Sequence, residues 1–284
     1  MQLRHSLRQR LGECQVGKEA HDLKILFIGD IVGNLGLKVL ADCLPVIREQ
    51  YQPDLIIANG ENVAPGGRGI TKQAFQLLQK QRIDVVTMGN HVWDHNDIYD
   101  ILLHPGNLLV RPGNYPNELP GNGVVTIKVG MKNVSVVNLC GQTFMNPINC
   151  PFQRIDEILC EIPENHYILL DFHAEASSEK LAMAHYLKGR VTAVVGTHTH
   201  IQTNDPQIFA DHTAYITDAG MTGSSSGILG MEAQAVIKRF RSKLPVKLQI
   251  EDQAEQWQFS AVLIETDNKS TRALKITPIH ELSS

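Results

Sequence analysis

The chain of 284 residues predicts an α/β fold built on a parallel sheet, with a second sheet packed on the first. Three observations predict it. Short apolar runs alternate with amphipathic segments in β-α units of about thirty residues, the spacing of parallel strands joined by crossover helices. Hydrophobic residues make up 43% of the chain, ample for a full core. No linker, repeat or low-complexity tract interrupts the pattern, so one domain is expected.

The elements follow in order. Residues 24–29 read as a buried strand and 35–50 as a helix. Residues 54–59 form a second strand, with a helix near 71–82. Residues 84–88 form a third, followed by a helix near 95–103. Right-handed crossovers place the carboxyl ends of these strands on one edge. The middle then changes style. Residues 123–129 and 133–139 read as a hairpin around Gly130, Met131 and Lys132, and a helix is expected near 151–161. Next come a strand (167–172), a helix (177–187) and strands at 191–196 and 213–217. A helix near 231–242 precedes a β-rich end at 246–250, 256–265 and 273–279, the last two joined by a turn at Asp267, Asn268, Lys269 and Ser270.

Composition excludes several classes. The net charge of −4 gives no general attraction for long nucleic acid or an anionic membrane, so affinity for phosphate must come from a local site. The five cysteines, Cys14, Cys43, Cys140, Cys150 and Cys160, form no CxxC pair and read as reduced thiols of a cytoplasmic protein. No apolar stretch approaches the roughly 18 residues of a membrane span. Residues 1–22 differ in character. Leu3, Leu7 and Leu11 recur at helical spacing beside Arg4, Arg8 and Arg10, with no apolar run of a secretory signal. An organellar presequence and a flexible tail are both compatible with this pattern; the flexible tail is the expectation, with the domain at 23–284.

The chemistry sits where the strands end. Strand one ends in Gly29 and Asp30, strand two in Asn59, Gly60, Glu61 and Asn62, and strand three in Gly89, Asn90 and His91. Later come Asp171, Phe172 and His173, then Gly196, Thr197, His198, Thr199 and His200. Ligands of open α/β sheets gather at this edge. If the segment is extended, His198 and His200 point the same way, about 6–7 Å apart. Each residue has a bland reading: Asp30 as a helix cap, Glu61 as a surface carboxylate, Asn90 as a turn residue, His173 as a core histidine. The bland readings do not explain why all fall on one edge. The mixture of carboxylate, amide and imidazole donors without a thiol suits Mn, Fe or Zn. Gly29, Gly33 and Gly36 are spaced GxxxGxxG, and an aspartate lies inside the loop, which argues against a dinucleotide site.

This order resembles the calcineurin-like metallophosphoesterases, whose pattern is DxH, GDxxD, GNH[D/E], a lone histidine, then GHxH. The resemblance is closer to the YmdB-type phosphodiesterase branch. It is carried by residues 27–33 (FIGDIVG), 59–62 (NGEN), 87–93 (TMGNHVW), 171–180 (DFHAEASSEK) and 215–223 (YITDAGMTG), and covers about 24–280. Two departures from the wider superfamily are shared with that branch. Val32 stands where DxH has its histidine, and Glu61 replaces the bridging aspartate.

The resemblance implies a single-domain α/β/β/α sandwich, two central sheets flanked by helices. It also implies two divalent or mixed-valence metal ions, Fe or Mn with Zn also compatible. Asp30, Asn62 and His200 would hold metal one; Asn90, His173 and His198 would hold metal two; Glu61 would bridge. A hydroxide held between the ions would attack phosphorus, and His91 would be the general acid, with orientation of Asn90 as its structural alternative. The implied substrates are small phosphodiesters, 2′,3′- or 3′,5′-cyclic nucleotides. The rival readings are a metal-binding regulator acting through a partner and a ribonuclease; no Arg/Lys cluster is evident beside the motifs to support the latter. A redox dimetal protein would place ExxH on helices, and none appears at these positions. No membrane and no long nucleic acid are expected as partners, and a homo-oligomer remains open. Glu175, Ser178 and Glu179 read either as partners of the ligands or as caps of the helix at 177. Arg111 with Pro112, the loop 65–69 and the loop 223–230 are candidates for the pocket border, and His95, His104 and His185 read as surface or satisfied histidines.

Overall fold

A computed structural model describes residues 22–283 of the chain. The readings of the arginine- and leucine-bearing tail and of Cys14 fall outside these residues. Two sheets stack face to face, and helices cover their outer faces. The first sheet contains β1 (Lys24–Ile28), β3 (Leu55–Asn59), β4 (Val85–Thr87) and β5 (Leu109–Val110), mutually parallel. It continues antiparallel from β1 into β13 (Trp257–Thr266), which also pairs with β14 (Ala273–Leu282) and β12 (Met221–Ser224); β12 in turn pairs with β2 (Asp30–Ile31). The second sheet runs in the order β10 (Gln207–Ile208), β11 (Ala214–Ile216), β9 (Ala193–Thr197), β8 (Tyr167–His173), β7 (Lys132–Cys140), β6 (Val124–Val129).

The central strands β1, β3 and β8 read as near-continuous apolar runs because they are buried on both faces. Alternation then divides each strand between two layers. Ile25, Phe27, Leu55, Ile57 and Val85 meet Val134, Val136, Leu169 and Val195 between the sheets. Leu26, Ile28, Ile56 and Val86 face outward, against α1 (Gly33–Tyr51), α2 (Lys72–Lys80) and α3 (Asp97–Leu103). On the far side, Leu170, Phe172 and Val194 pack under α4 (Pro151–Glu161) and α5 (Ser177–Leu187). This is the expected α/β/β/α sandwich. Among the described residues, no helix is long and apolar enough to cross a membrane.

Helix starts draw on different groups. Thr71 caps α2 through its hydroxyl, which accepts from Ala74 N at 3.0 Å. The start of α1 is held from far away: the Asp252 carboxylate accepts from Leu35 N at 2.9 Å and Asn34 Nδ2 at 2.9 Å. At α5 the expected serine cap does not form. Ala176 occupies the cap position without a side-chain bond, and Glu179 instead accepts from the backbone N–H groups of Gln142 and Thr143.

A second expectation fails at 246–250. No strand forms there; Ile250 makes only an isolated bridge to Met231. The alternation of Val246, Leu248 and Ile250 imitates a strand, but Ile250 fills the spaces left by two glycines. A Cβ on Gly33 or Gly67 would lie 2.5 Å or 2.3 Å from its side chain. Strands β2, β5, β10 and β12 were not expected; they are too short to show a period.

Candidate metal centre

The carboxyl ends of strands from both sheets converge on one edge. Asp30 opens β2 after β1 has ended at Ile28; Glu61 and Asn62 follow β3; Asn90 follows β4; His173 ends β8; His198 and His200 follow β9. Buried polar contacts register the two sheets here. Asp171 on β8 accepts from Asn59 Nδ2 of β3 at 3.1 Å and from the Thr87 hydroxyl of β4. The glycine preceding Asn90 is required by close packing. A Cβ at Gly89 would lie 2.2 Å from Glu61 Oε2 and 2.4 Å from His173 Nε2.

The extended geometry expected for His198 and His200 is not what forms. β9 stops at Thr197, and both histidines have left-handed backbones, with φ of 98° and 65°. A buried ion pair holds this turn. Asp218 Oδ2 accepts from Thr199 N at 3.0 Å, the Thr199 hydroxyl at 2.7 Å and Lys180 Nζ at 2.7 Å. Lys180 and Asp218 are both fully buried.

Hydrogen bonding assigns the ring protons. Thr197 Oγ1 donates to Asp171 Oδ1 at 2.7 Å, so it accepts the proton of His173 Nδ1 at 2.9 Å. His198 Nε2 donates to Glu175 Oε2 at 3.0 Å. His200 Nδ1 donates to the Leu229 carbonyl at 3.1 Å. In its neutral form each ring therefore turns a bare nitrogen inward. His173 Nε2 faces three further donors of electron pairs: His198 Nδ1 at 2.9 Å, Glu61 Oε1 at 3.0 Å and Asn90 Oδ1 at 3.1 Å. His200 Nε2 faces Asn62 Oδ1 at 3.3 Å, and Asn62 is fixed in that sense because its amide donates to Gly67 O at 2.9 Å. Asp30 completes the set. Its Oδ2 accepts from His198 N at 3.1 Å, whereas Oδ1 is buried without a hydrogen-bond partner. Lone pairs converging on lone pairs in a buried site call for cations. The residues present fit a pair of borderline-hard metal ions.

The electrostatics point the same way. Burial opposes the charge on Glu61, but His173 outweighs it and holds the carboxyl down at about 2. Burial would also lower His173, and Glu61 with Asp30 drives it up to about 9. Burial and then the neighbouring His173 push His198 down to about 3. A second proton on His173 would compete for the place among these donors that a metal would take. Burial raises Asp30, with His200 and His173 opposing.

His91 stands beside this centre. Its backbone N–H donates to Glu61 Oε2 at 3.0 Å, and its ring Nδ1 meets Asp94 Oδ2 at 2.8 Å, leaving Nε2 for a ligand. Glu61, Asn62, His91, Glu175, His198 and His200 line a cavity of about 450 Å³. Its other wall is apolar, from Ile228, Leu229, Met231, Val236, Phe240 and Leu248, with Arg68 and Arg239 as its cations. The loops 65–69 and 223–230 therefore do border the pocket. Arg111 does not: its guanidinium is spent on the carbonyls of Pro112, Leu119 and Pro120.

Sequence reasoning missed Asp94, which the i, i+3 spacing from His91 could have suggested. It also missed the Leu229 carbonyl, Arg239 and the apolar wall contributed by α6 (Ala233–Ser242) and its flanks, which carry no local signature. Of the alternatives left open, Glu175 is a partner of His198, whereas Glu179 is not near the ligands by any hydrogen bond.

Comparisons with known proteins bear on the family and the fold. The family model described as YmdB-like protein matches residues 26–279. A Bacillus subtilis (strain 168) protein named 2′,3′-cyclic-nucleotide 2′-phosphodiesterase is 44% identical over 258 residues, 90% of this chain and 96% of that protein. The crystal structure of a hypothetical protein from Thermus thermophilus has a TM-score of 0.85 at 38% identity, covering 92% of this chain and 100% of that one. A structure described as a novel phosphatase of Mycoplasma pneumoniae also has a TM-score of 0.85, at 27% identity, covering 92% and 94%.

Proposed function

The chain belongs to the YmdB-like family, with its calcineurin-like fold, and from that premise we propose that it is a two-metal phosphodiesterase acting on small diesters, cyclic nucleotides in particular. The observation that carries this reading is the inward lone pair on each of three imidazoles, each fixed by an outer acceptor: Thr197, Glu175 or the Leu229 carbonyl. Asp30, Asn62 and His200 would hold one ion; Asn90, His173 and His198 the other; Glu61 would serve both. Fe or Mn suits this donor set, and Zn is compatible. Two such ions supply Lewis acidity toward phosphoryl oxygens and toward an attacking water.

The chain's own residues do the rest. His91 delivers a proton from Nε2 to the departing oxygen, and Asp94 fixes the ring that does so. The Glu61 carboxylate ties the His91 backbone to the metal ligands, so acid and centre keep a fixed separation. Arg68 and Arg239 give the cavity positive charge for an anionic substrate, and the apolar wall receives its sugar and base. Cys43, Cys140, Cys150 and Cys160 are free thiols, which accords with work in a reducing cytoplasm.

The test is turnover of a panel after reconstitution with Fe, Mn or Zn: bis-p-nitrophenyl phosphate, 2′,3′- and 3′,5′-cyclic mononucleotides, and short RNA. Hydrolysis of the cyclic mononucleotides is expected. Two bound metals with no turnover of any diester would favour the regulatory reading.

A further inference from the structure

The cavity opens onto a basic strip that the position of the motifs concealed. Residues 238–247, the end of α6 and the segment after it, contain Lys238, Arg239, Arg241, Lys243 and Lys247 and no carboxylate. None of these five cations makes an ion pair among the described residues, and neither Glu232 before them nor Glu251 after them neutralises one. A chain of net charge −4 thus keeps five unpaired cations within ten residues, of which Arg239 lines the phosphoester cavity and Lys243 the groove beside it. The stripe also holds exposed apolar surface: Phe240 is 68% and Leu244 65% exposed, and Lys243 Nζ lies 5.9 Å from the Phe240 ring centroid.

The strip is continuous with the site. Arg239 and Phe240 line both the 450 Å³ cavity beside His91 and a second groove of about 490 Å³. Lys243, Leu244, Pro245 and Val246 form the rest of that groove. Alternating cations with an exposed aromatic are the chemistry of single-strand binding, with phosphates on the cations and a base on the ring. Arg239, shared by both cavities, and Lys243 beyond it carry the charge from the cavity into the groove. The cavity's other charged side chains are Arg68, Glu61, which is assigned to the metals, and Glu175, which is paired with His198.

We propose that the strip 238–247 guides a single-stranded oligoribonucleotide whose terminal 2′,3′-cyclic phosphate enters the cavity. The substrate is then the end of an RNA fragment as well as a mononucleotide. This rests on the phosphodiesterase reading above. In the reaction, water's oxygen bonds to phosphorus, one ring P–O bond breaks, His91 protonates the released ribose oxygen, and a phosphomonoester end remains. It leaves the expectation that long nucleic acid is not a partner in place and adds short RNA ends to the substrates, because the local field is built from residues remote in sequence from every proposed ligand.

The experiment uses the full metal-loaded chain and two readouts. The first is fluorescence anisotropy of a labelled eight-residue oligoribonucleotide against salt. The second is kcat/KM for a cyclic mononucleotide and for a tetranucleotide bearing the same cyclic end. The expected results are a log–log salt slope near −2 for binding, from about three phosphates at roughly 0.7 each, and a tetranucleotide kcat/KM about tenfold above the mononucleotide at low salt. The triple reversal R241E/K243E/K247E should abolish both effects. The mononucleotide reaction uses none of these three residues, and its kcat/KM should change less than twofold. Equal kcat/KM for the two substrates with a flat salt response would overturn the proposal. So would binding of the strip to vesicles of anionic phospholipid with no binding of the oligonucleotide, which would mark a membrane surface instead. If the oligonucleotide binds with the expected slope and neither substrate turns over, the strip stands and the phosphodiesterase reading falls.

Discussion

At the scale of single residues, the proposed proton donor is distinct from the proposed metal ligands. His91 reaches the centre through its backbone and keeps its ring on Asp94, so removing the ring should spare the metals. His91→Ala is expected to retain two ions by elemental analysis and to lose about 10²–10⁴ in kcat on a cyclic nucleotide. The loss should be much smaller on bis-p-nitrophenyl phosphate, whose phenolate leaves without help; equal losses on both would contradict the acid role. His200 is the sole imidazole assigned to its ion, because Val32 stands where the wider superfamily has a histidine. His200→Ala should therefore leave one tightly held ion per chain, and two would show the assignment to be wrong. These residues were legible in the sequence because each sits just past an apolar strand, where side-chain chemistry is freed from core packing. Their outer partners were less so. Thr197 and Asp171 look like ordinary strand residues, and the Leu229 carbonyl is backbone, which carries no signature at all.

At the scale of elements, the left-handed turn bearing His198 and His200 is held by a helix and a loop rather than by strand pairing. Lys180 from α5 and Asp218 from the loop before β12 form the clamp, with Thr199 as its third member. Lys180→Met strands a buried carboxylate, and chemical denaturation should register a loss of about 3–5 kcal/mol. The double variant K180M/D218N removes both charges and should recover part of that loss; no recovery would mean that the pair acts through packing alone. Gly89 sets the approach of the β4 loop to the ligands. Gly89→Ala would drive a methyl toward Glu61 and His173, and metal affinity should fall by roughly 10–100-fold, the range for disturbed ligand support. Unchanged affinity by metal titration would show that the loop yields freely. The helices and long strands were readable from periodicity. Residues 246–250 misled because apolar alternation reports that side chains are covered, not what covers them. Here the gaps at Gly33 and Gly67 and the cavity wall do so in place of a partner strand.

At the scale of the whole molecule, the two stacked sheets bring the proposed ligands from separate β-α halves to one edge, and the layer between them fixes their separation. Phe27, fully buried in that layer, shows what the fold stakes on it. Phe27→Ala should cost about 3–5 kcal/mol. The α/β class and the second sheet could be read from the order of apolar runs. The pairing of β1 with β13 could not, because it joins the two ends of the domain. The basic strip was hidden for the same reason: net charge averages over the surface, whereas a substrate meets only the side that faces the site. The central claim is that this edge works as a phosphodiesterase only when both ions are held. The direct measurement is hydrolysis of a 2′,3′-cyclic nucleotide as metal is titrated into chelated protein, with bound ions per chain counted in parallel. Activity should be negligible without metal and should rise to completion at two ions per chain. Full activity in the chelated protein, or two bound ions with no hydrolysis, would contradict the claim.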